Sequence, residues 1–187
     1  MRISLNLLRT AIESENASAH PSDLPALEYP LFPPPRLAVL GAVMRPSPGI
    51  HCFPQWSAPQ LARLRPMALA GSFEELATVA RLEQEGILLL GDLRYPLVVF
   101  NSPVSAPLSD DRHEQLWRWF RLPVIEQIRT PTHQLLAWEC EAREGFHLAP
   151  GLVAGDLGAT ALPAPCACGA REPRIHFLRA HTFAPSL

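Results

Sequence analysis

Cys140, His147, Cys166 and Cys168 fall within 29 positions and take up three of the chain's four cysteines. No other feature constrains the fold as much, because four side chains that share one metal ion must be carried by segments folded back on one another. Thiolate and imidazole suit Zn2+, which closes a structural site tetrahedrally with four such groups. Gly169 follows the second thiol pair and can supply the turn that neighbouring thiolates need. Spacing alone leaves a second reading open, in which the thiols are buried and His147 lies at the surface, since Cys-x-Cys is a less common ligand pair than Cys-x-x-Cys. Cys52, beside Phe53 and Trp56, reads as a buried free thiol.

Four unevenly placed cysteines fit metal ligation better than a disulfide framework. The first residues, Met1 to Arg9, form a broken apolar run that soon meets Glu13 and Glu15, unlike a signal peptide. No stretch approaches the ~20 apolar residues of a membrane span. A cytoplasmic protein with no membrane contact is expected. The 16 basic residues are all arginine, scattered among 18 acids and 21 prolines, which argues against a nucleic-acid face. The absence of lysine excludes amine nucleophiles, Schiff bases and a lysine clamp on phosphate.

Along the chain, residues 1–14 suggest an amphipathic helix, and from His20 to Arg36 six of seventeen residues are proline, which predicts an extended arm lying over something. Leu37 to Met44 reads as a buried strand. Ser72 and Glu75 make a capping box for a helix over 73–85, with Gly86 as its stop. Tyr95 to Phe100 reads as a strand. A second helix starts at Ser109 and buries Leu116, Trp119 and Phe120, and strands follow at Val124–Ile128 and Leu135–Cys140. This alternation predicts an α/β layer structure with an at least partly parallel sheet.

Taken in order, Gly71-Ser72-Phe73-Glu74-Glu75-Leu76, Glu85-Gly86-Ile87, Ala106-Pro107-Leu108-Ser109-Asp110-Asp111-Arg112 and Phe120-Arg121-Leu122-Pro123-Val124 resemble the second half of the large lobe of adenylate-forming enzymes. Glu139-Cys140, Gly145-Phe146-His147-Leu148 and Cys166-Ala167-Cys168-Gly169 with Pro173-Arg174-Ile175 resemble the phenylacetate–CoA ligase-like branch. The resemblance covers residues 60–179, with the cysteine-histidine part its most specific element. It implies a partial adenylate-forming large-lobe sheet with flanking helices and a small zinc-stapled C-terminal element. It also implies that Cys140, His147, Cys166 and Cys168 together hold zinc. The expected organisation is a helix and proline-rich arm over 1–36, an α/β subdomain over 37–134 and a zinc-binding element over 135–187.

Enzymes of that family form an acyl-adenylate from ATP and a carboxylic acid and pass the acyl group to a thiol such as coenzyme A. Their Ser/Thr/Gly-rich phosphate loop has no counterpart in residues 1–60. Where the Tyr-Gly-x-Thr/Ser-Glu adenine platform should follow the strand, this chain has Ile128-Arg129-Thr130-Pro131-Thr132. Gly155-Asp156-Leu157 resembles the family's ribose-gripping step, although an Asp after Gly is also an ordinary turn residue. Arg179 could match the hinge arginine, and with the chain ending at Leu187 the lobe carrying the catalytic lysine is expected to be missing. No catalytic residue is expected. These readings predict a non-catalytic zinc protein acting as an interaction or scaffold protein, with a protein partner or self-association covering the faces such a lobe normally buries. The alternatives are a subunit of an AMP-forming acid–thiol ligase using ATP and CoA, or a nucleotide- or acyl-binding module with Asp156 on a ribose.

Overall fold

The computed structural model describes residues 23–104 and 107–177; the helix expected over 1–14 and residues 20–22 of the arm lie outside them. The elements run β1 (Leu37–Leu40), β2 (Ile50–Phe53), α1 (Ala58–Leu64), β3 (Ala68–Ser72), α2 (Phe73–Gln84), β4 (Leu97–Asn101), α3 (Asp110–Phe120), β5 (Val124–Arg129), β6 (Leu135–Glu139), β7 (Phe146–Leu148), a 3-10 turn (Ala154–Leu157), β8 (Ala159–Leu162) and β9 (Arg174–Phe177). The nine described strands form one sheet in the order β2-β1-β3-β4-β5-β6-β7-β9-β8. None of the described helices is long and apolar enough to cross a membrane.

The two expected helices form because their starts are capped. Ser72 Oγ accepts the Glu75 N–H at 3.2 Å, and Ser109 Oγ accepts that of Arg112 at 3.4 Å. The Glu75 carboxylate, which would complete a capping box, instead accepts the indole N–H of Trp56 and ties α2 to the loop before α1. Gly86 stops α2 in the left-handed conformation, φ +71°, with Ile87 N–H returning to the Leu82 carbonyl.

Strands β2, β1, β3, β4 and β5 are parallel, because α1, α2 and α3 form the crossovers from β2 to β3, β3 to β4 and β4 to β5. From β5 onward every pair is antiparallel, starting with the tight turn in which Thr130 N–H bonds the Gln134 carbonyl at 2.9 Å. Side chains alternate across the sheet. Ala38, Leu40, Leu69, Leu97, Val99 and Val124 pack with the helices, while Leu37, Val39, Ala68, Ala70 and Val98 face the other way.

That second face carries the arm. Leu27 and Tyr29 pack against it, Tyr29 Oη donates to the Pro96 carbonyl at 2.9 Å, and the Glu28 carbonyl accepts from Gln127 Nε2. Arg129, 2% exposed, donates to the Ala26 carbonyl at 3.0 Å and lies over the Phe100 ring. A third cluster of Ile128, Ala137, Phe146, Leu148 and Ile175 forms the core of the antiparallel half.

Candidate metal centre

Strands β6 and β7 pair so that Trp138 stands opposite His147, which puts both side chains on one face of the sheet. Cys140 comes two residues after Trp138 and therefore leaves the strand on that same face. The connection between β8 and β9 brings Cys166 and Cys168 back to it. The ligand atoms of all four residues lie within 4.8 Å of one another. Cys140 Sγ is 3.5 Å from Cys166 Sγ, and Cys168 Sγ is 3.4 Å from His147 Nε2. His147, Cys140 and Cys166 are buried and Cys168 is half-buried. Three soft thiolates and one imidazole this close are a donor set that could hold a metal ion.

The surroundings orient each donor. His147 Nδ1 faces the Glu172 carbonyl at 3.4 Å and, since a carbonyl only accepts, must carry the proton, leaving the Nε2 lone pair toward Cys168. Neither Glu139 nor Glu141, the carboxylates flanking Cys140, fills that acceptor role. Gly169, φ +81°, returns its N–H to the Cys166 carbonyl at 3.1 Å and shapes the Cys-x-Cys turn. Arg174 braces the same loop from beneath, donating to the Ala164 carbonyl at 2.7 Å, the Pro165 carbonyl at 3.2 Å and the Glu144 carboxylate at 3.1 Å. Gly145 lets β7 approach β9, since a Cβ there would sit 2.7 Å from the Ile175 carbonyl oxygen.

The thiols are electrostatically unequal. The backbone N–H of Cys168 lowers the Cys166 thiol well below the usual range, whereas burial pushes Cys140 up. Since the thiolate is the ligand form, a bound cation would displace whatever protons the three thiols carry.

Asp156 sits in the 3-10 turn, exposed, with its carboxylate accepting the Val153 N–H at 3.2 Å. Cys52 is half-buried rather than buried, its Sγ 3.4 Å from the Met44 N, and its neighbour His51 is exposed. His113 is half-buried and His176 exposed. Sequence reasoning missed Glu126. It is 1% exposed, accepts Asn101 Nδ2 at 2.8 Å and the Leu108 N–H at 3.0 Å, and offers its own N–H to Glu139 at 3.3 Å. Burial first, and then the neighbouring Glu139, raise its pKa to about 7. It forms part of the floor of an open cleft of about 600 Å3 between the start of α3 and strands β5 to β7. A glutamate directly after two apolar residues at the start of a strand, Val124-Ile125-Glu126, was the signal available.

No protein-family model and no curated protein matches the sequence. Solved structures do. An open conformation of 2-hydroxyisobutyryl-CoA ligase in complex with 2-HIB-AMP and CoA aligns with a TM-score of 0.52 at 13% identity, over 74% of this chain and 43% of that one. The fold resembles part of that ligase. The same ligase in its thioesterification state aligns with a TM-score of 0.44 at 13% identity, over 60% and 28% of the two chains. The chain thus spans less than half the ligase's length. The likeness supports the adenylate-forming fold and does not single out the phenylacetate–CoA ligase-like branch.

Proposed function

We propose that this chain is a non-catalytic zinc protein related to the phenylacetate–CoA ligase-like branch, working in the cytoplasm as an interaction or scaffold protein. The observation that carries the reading is the convergence of Cys140, His147, Cys166 and Cys168 on one point, with His147 tautomer and knuckle both fixed from behind. Zinc bound there staples the end of β6, β7 and the β8–β9 connection to one another. Arg129 supports the non-catalytic half of the proposal. It belongs to the segment that replaces the adenine platform, and its guanidinium is buried beneath the chain's own arm.

The cleft above Glu126 favours a second reading, in which the fold keeps an acyl or nucleotide pocket, alone or completed by another chain, with Asp156 on a ribose. Two measurements on the purified protein separate the readings. Elemental analysis should find about one zinc per chain, as a single tetrahedral site requires. Carboxylate-dependent exchange of pyrophosphate into ATP should be absent; exchange that disappears in Asp156→Ala would establish the enzyme reading instead.

A further inference from the structure

We propose that Cys140 and Cys166 form a redox exchange pair, which gives up the zinc and closes a disulfide when the protein meets a hydroperoxide. The inference rests on the zinc reading above. Four cysteines lie among the described residues, and Cys140 Sγ and Cys166 Sγ stand 3.5 Å apart before any bond is made. Closing to a disulfide needs a further movement of ~1.5 Å. Cys166 sits on the β8–β9 connection and Cys140 just past the end of β6. Cys166 and Cys168 are separated by one residue held in a turn, so their thiols are poorly placed to bond each other. Cys168 is only half-buried and opens the centre to solvent, the route by which peroxide enters and the metal leaves. Cys52 lies against the Met44 backbone and belongs to a different core cluster.

The chemistry balances within the site. One thiolate attacks the peroxide, the O–O bond breaks, and that sulfur becomes a sulfenic acid while the leaving oxygen takes a proton from solvent. The second thiolate attacks this sulfur, the S–S bond forms, and hydroxide departs and is protonated to water. Two thiolates together lose two electrons and hydrogen peroxide becomes two waters. Only Cys168 and His147 then remain as donors, too few to retain a structural zinc. The disulfide joins the end of β6 to the β8–β9 connection, two of the segments the zinc joined, so oxidation exchanges one staple for another and the fold survives.

The test uses zinc-loaded, full-length protein with hydrogen peroxide, and reads zinc release with a chromogenic chelator, disulfides by non-reducing peptide mapping, and melting temperature. Stoichiometric zinc release is expected, with the Cys140 and Cys166 peptides linked and Cys52 and Cys168 still open to alkylation. The oxidised protein should melt above the reduced, chelator-stripped protein, and dithiothreitol with added zinc should restore the starting state. Zinc that stays bound, or leaves with a Cys166–Cys168 bond or with sulfinic acids, overturns the exchange while leaving the zinc centre standing. A protein that binds no zinc before oxidation overturns both.

Discussion

The imidazole of His147 stacks on the indole of Trp138, with ring centroids 5.5 Å apart and planes 28° from parallel. The stack holds the ring in the plane that aims Nε2 at the thiols. A pair of this kind contributes ~0.5–1.5 kcal/mol beyond simple burial. Trp138→Ala should therefore weaken zinc binding up to about tenfold in competition with a chelator of known affinity, with Trp138→Phe intermediate. Unchanged affinity in the alanine variant would mean the carbonyl of Glu172 orients the imidazole alone.

Cys168→Ser removes one thiolate from the half-buried side of the centre. Because the binding energy of a structural zinc, on the order of 10 kcal/mol, is also folding energy, this variant and chelation of the native protein should produce the same loss of the C-terminal element. Hydrogen exchange resolved by segment is the suitable measurement. Protection should disappear from β7, β8 and β9 and persist in β1, β3 and β4.

Glu126 gives the stability a pH slope. Its folded pKa, about 7, lies above the ordinary carboxyl value of 4.5, so between those limits the folded state holds the extra proton. Stability is therefore highest below the lower value and falls as pH rises toward 7, by up to ~1.4 kcal/mol per pH unit where the two states differ by a full proton. Glu139, also raised by burial, adds in the same direction. Glu126→Gln should flatten the decline in urea titrations between pH 5 and 8; an equally steep decline would assign the slope to Glu139 instead.

Deleting residues 1–36 removes Leu27, Tyr29 and the carbonyls that receive Arg129 and Gln127. Arg129 would lose its cover and its bond to the Ala26 carbonyl, and the apolar side chains Leu37, Val39, Ala68, Ala70 and Val98 on that face would meet water. The truncated protein should be less soluble or change oligomeric state by light scattering, and the full chain should run above a monomer. A full-length monomer unchanged by the deletion would remove the case for a protein partner.

Those elements whose signals are local were legible in the sequence. Ser72, Gly86 and Ser109 mark α2 and α3 because caps and stops act within one turn, and β4, β5 and β6 are short β-branched or apolar runs. Strand β3 is not legible: Ala68-Leu69-Ala70-Gly71-Ser72 has weak strand propensity and is a strand because it lies between β1 and β4. The expected strand Leu37–Met44 ends at Leu40, since Gly41 adopts φ +68° and sends the chain to the arm side, where Ala42 and Met44 pack. Spacing together with the family resemblance points to all four candidate ligands, yet gives no hint that a backbone carbonyl, that of Glu172, holds the histidine, because a carbonyl is common to every residue.

The arm over the second face is held largely through its main chain: the carbonyls of Leu24, Pro25, Ala26 and Glu28 receive Arg45, Arg129 and Gln127. A lock of that kind reads the path of the arm and is nearly blind to its side chains. Substitutions at Pro25, Ala26 and Glu28 can accumulate with little penalty so long as the extended path is kept, while Leu27, packed on the sheet, and Arg129 and Gln127 beneath the arm cannot change alone. Such an arrangement lets spelling drift while shape stays.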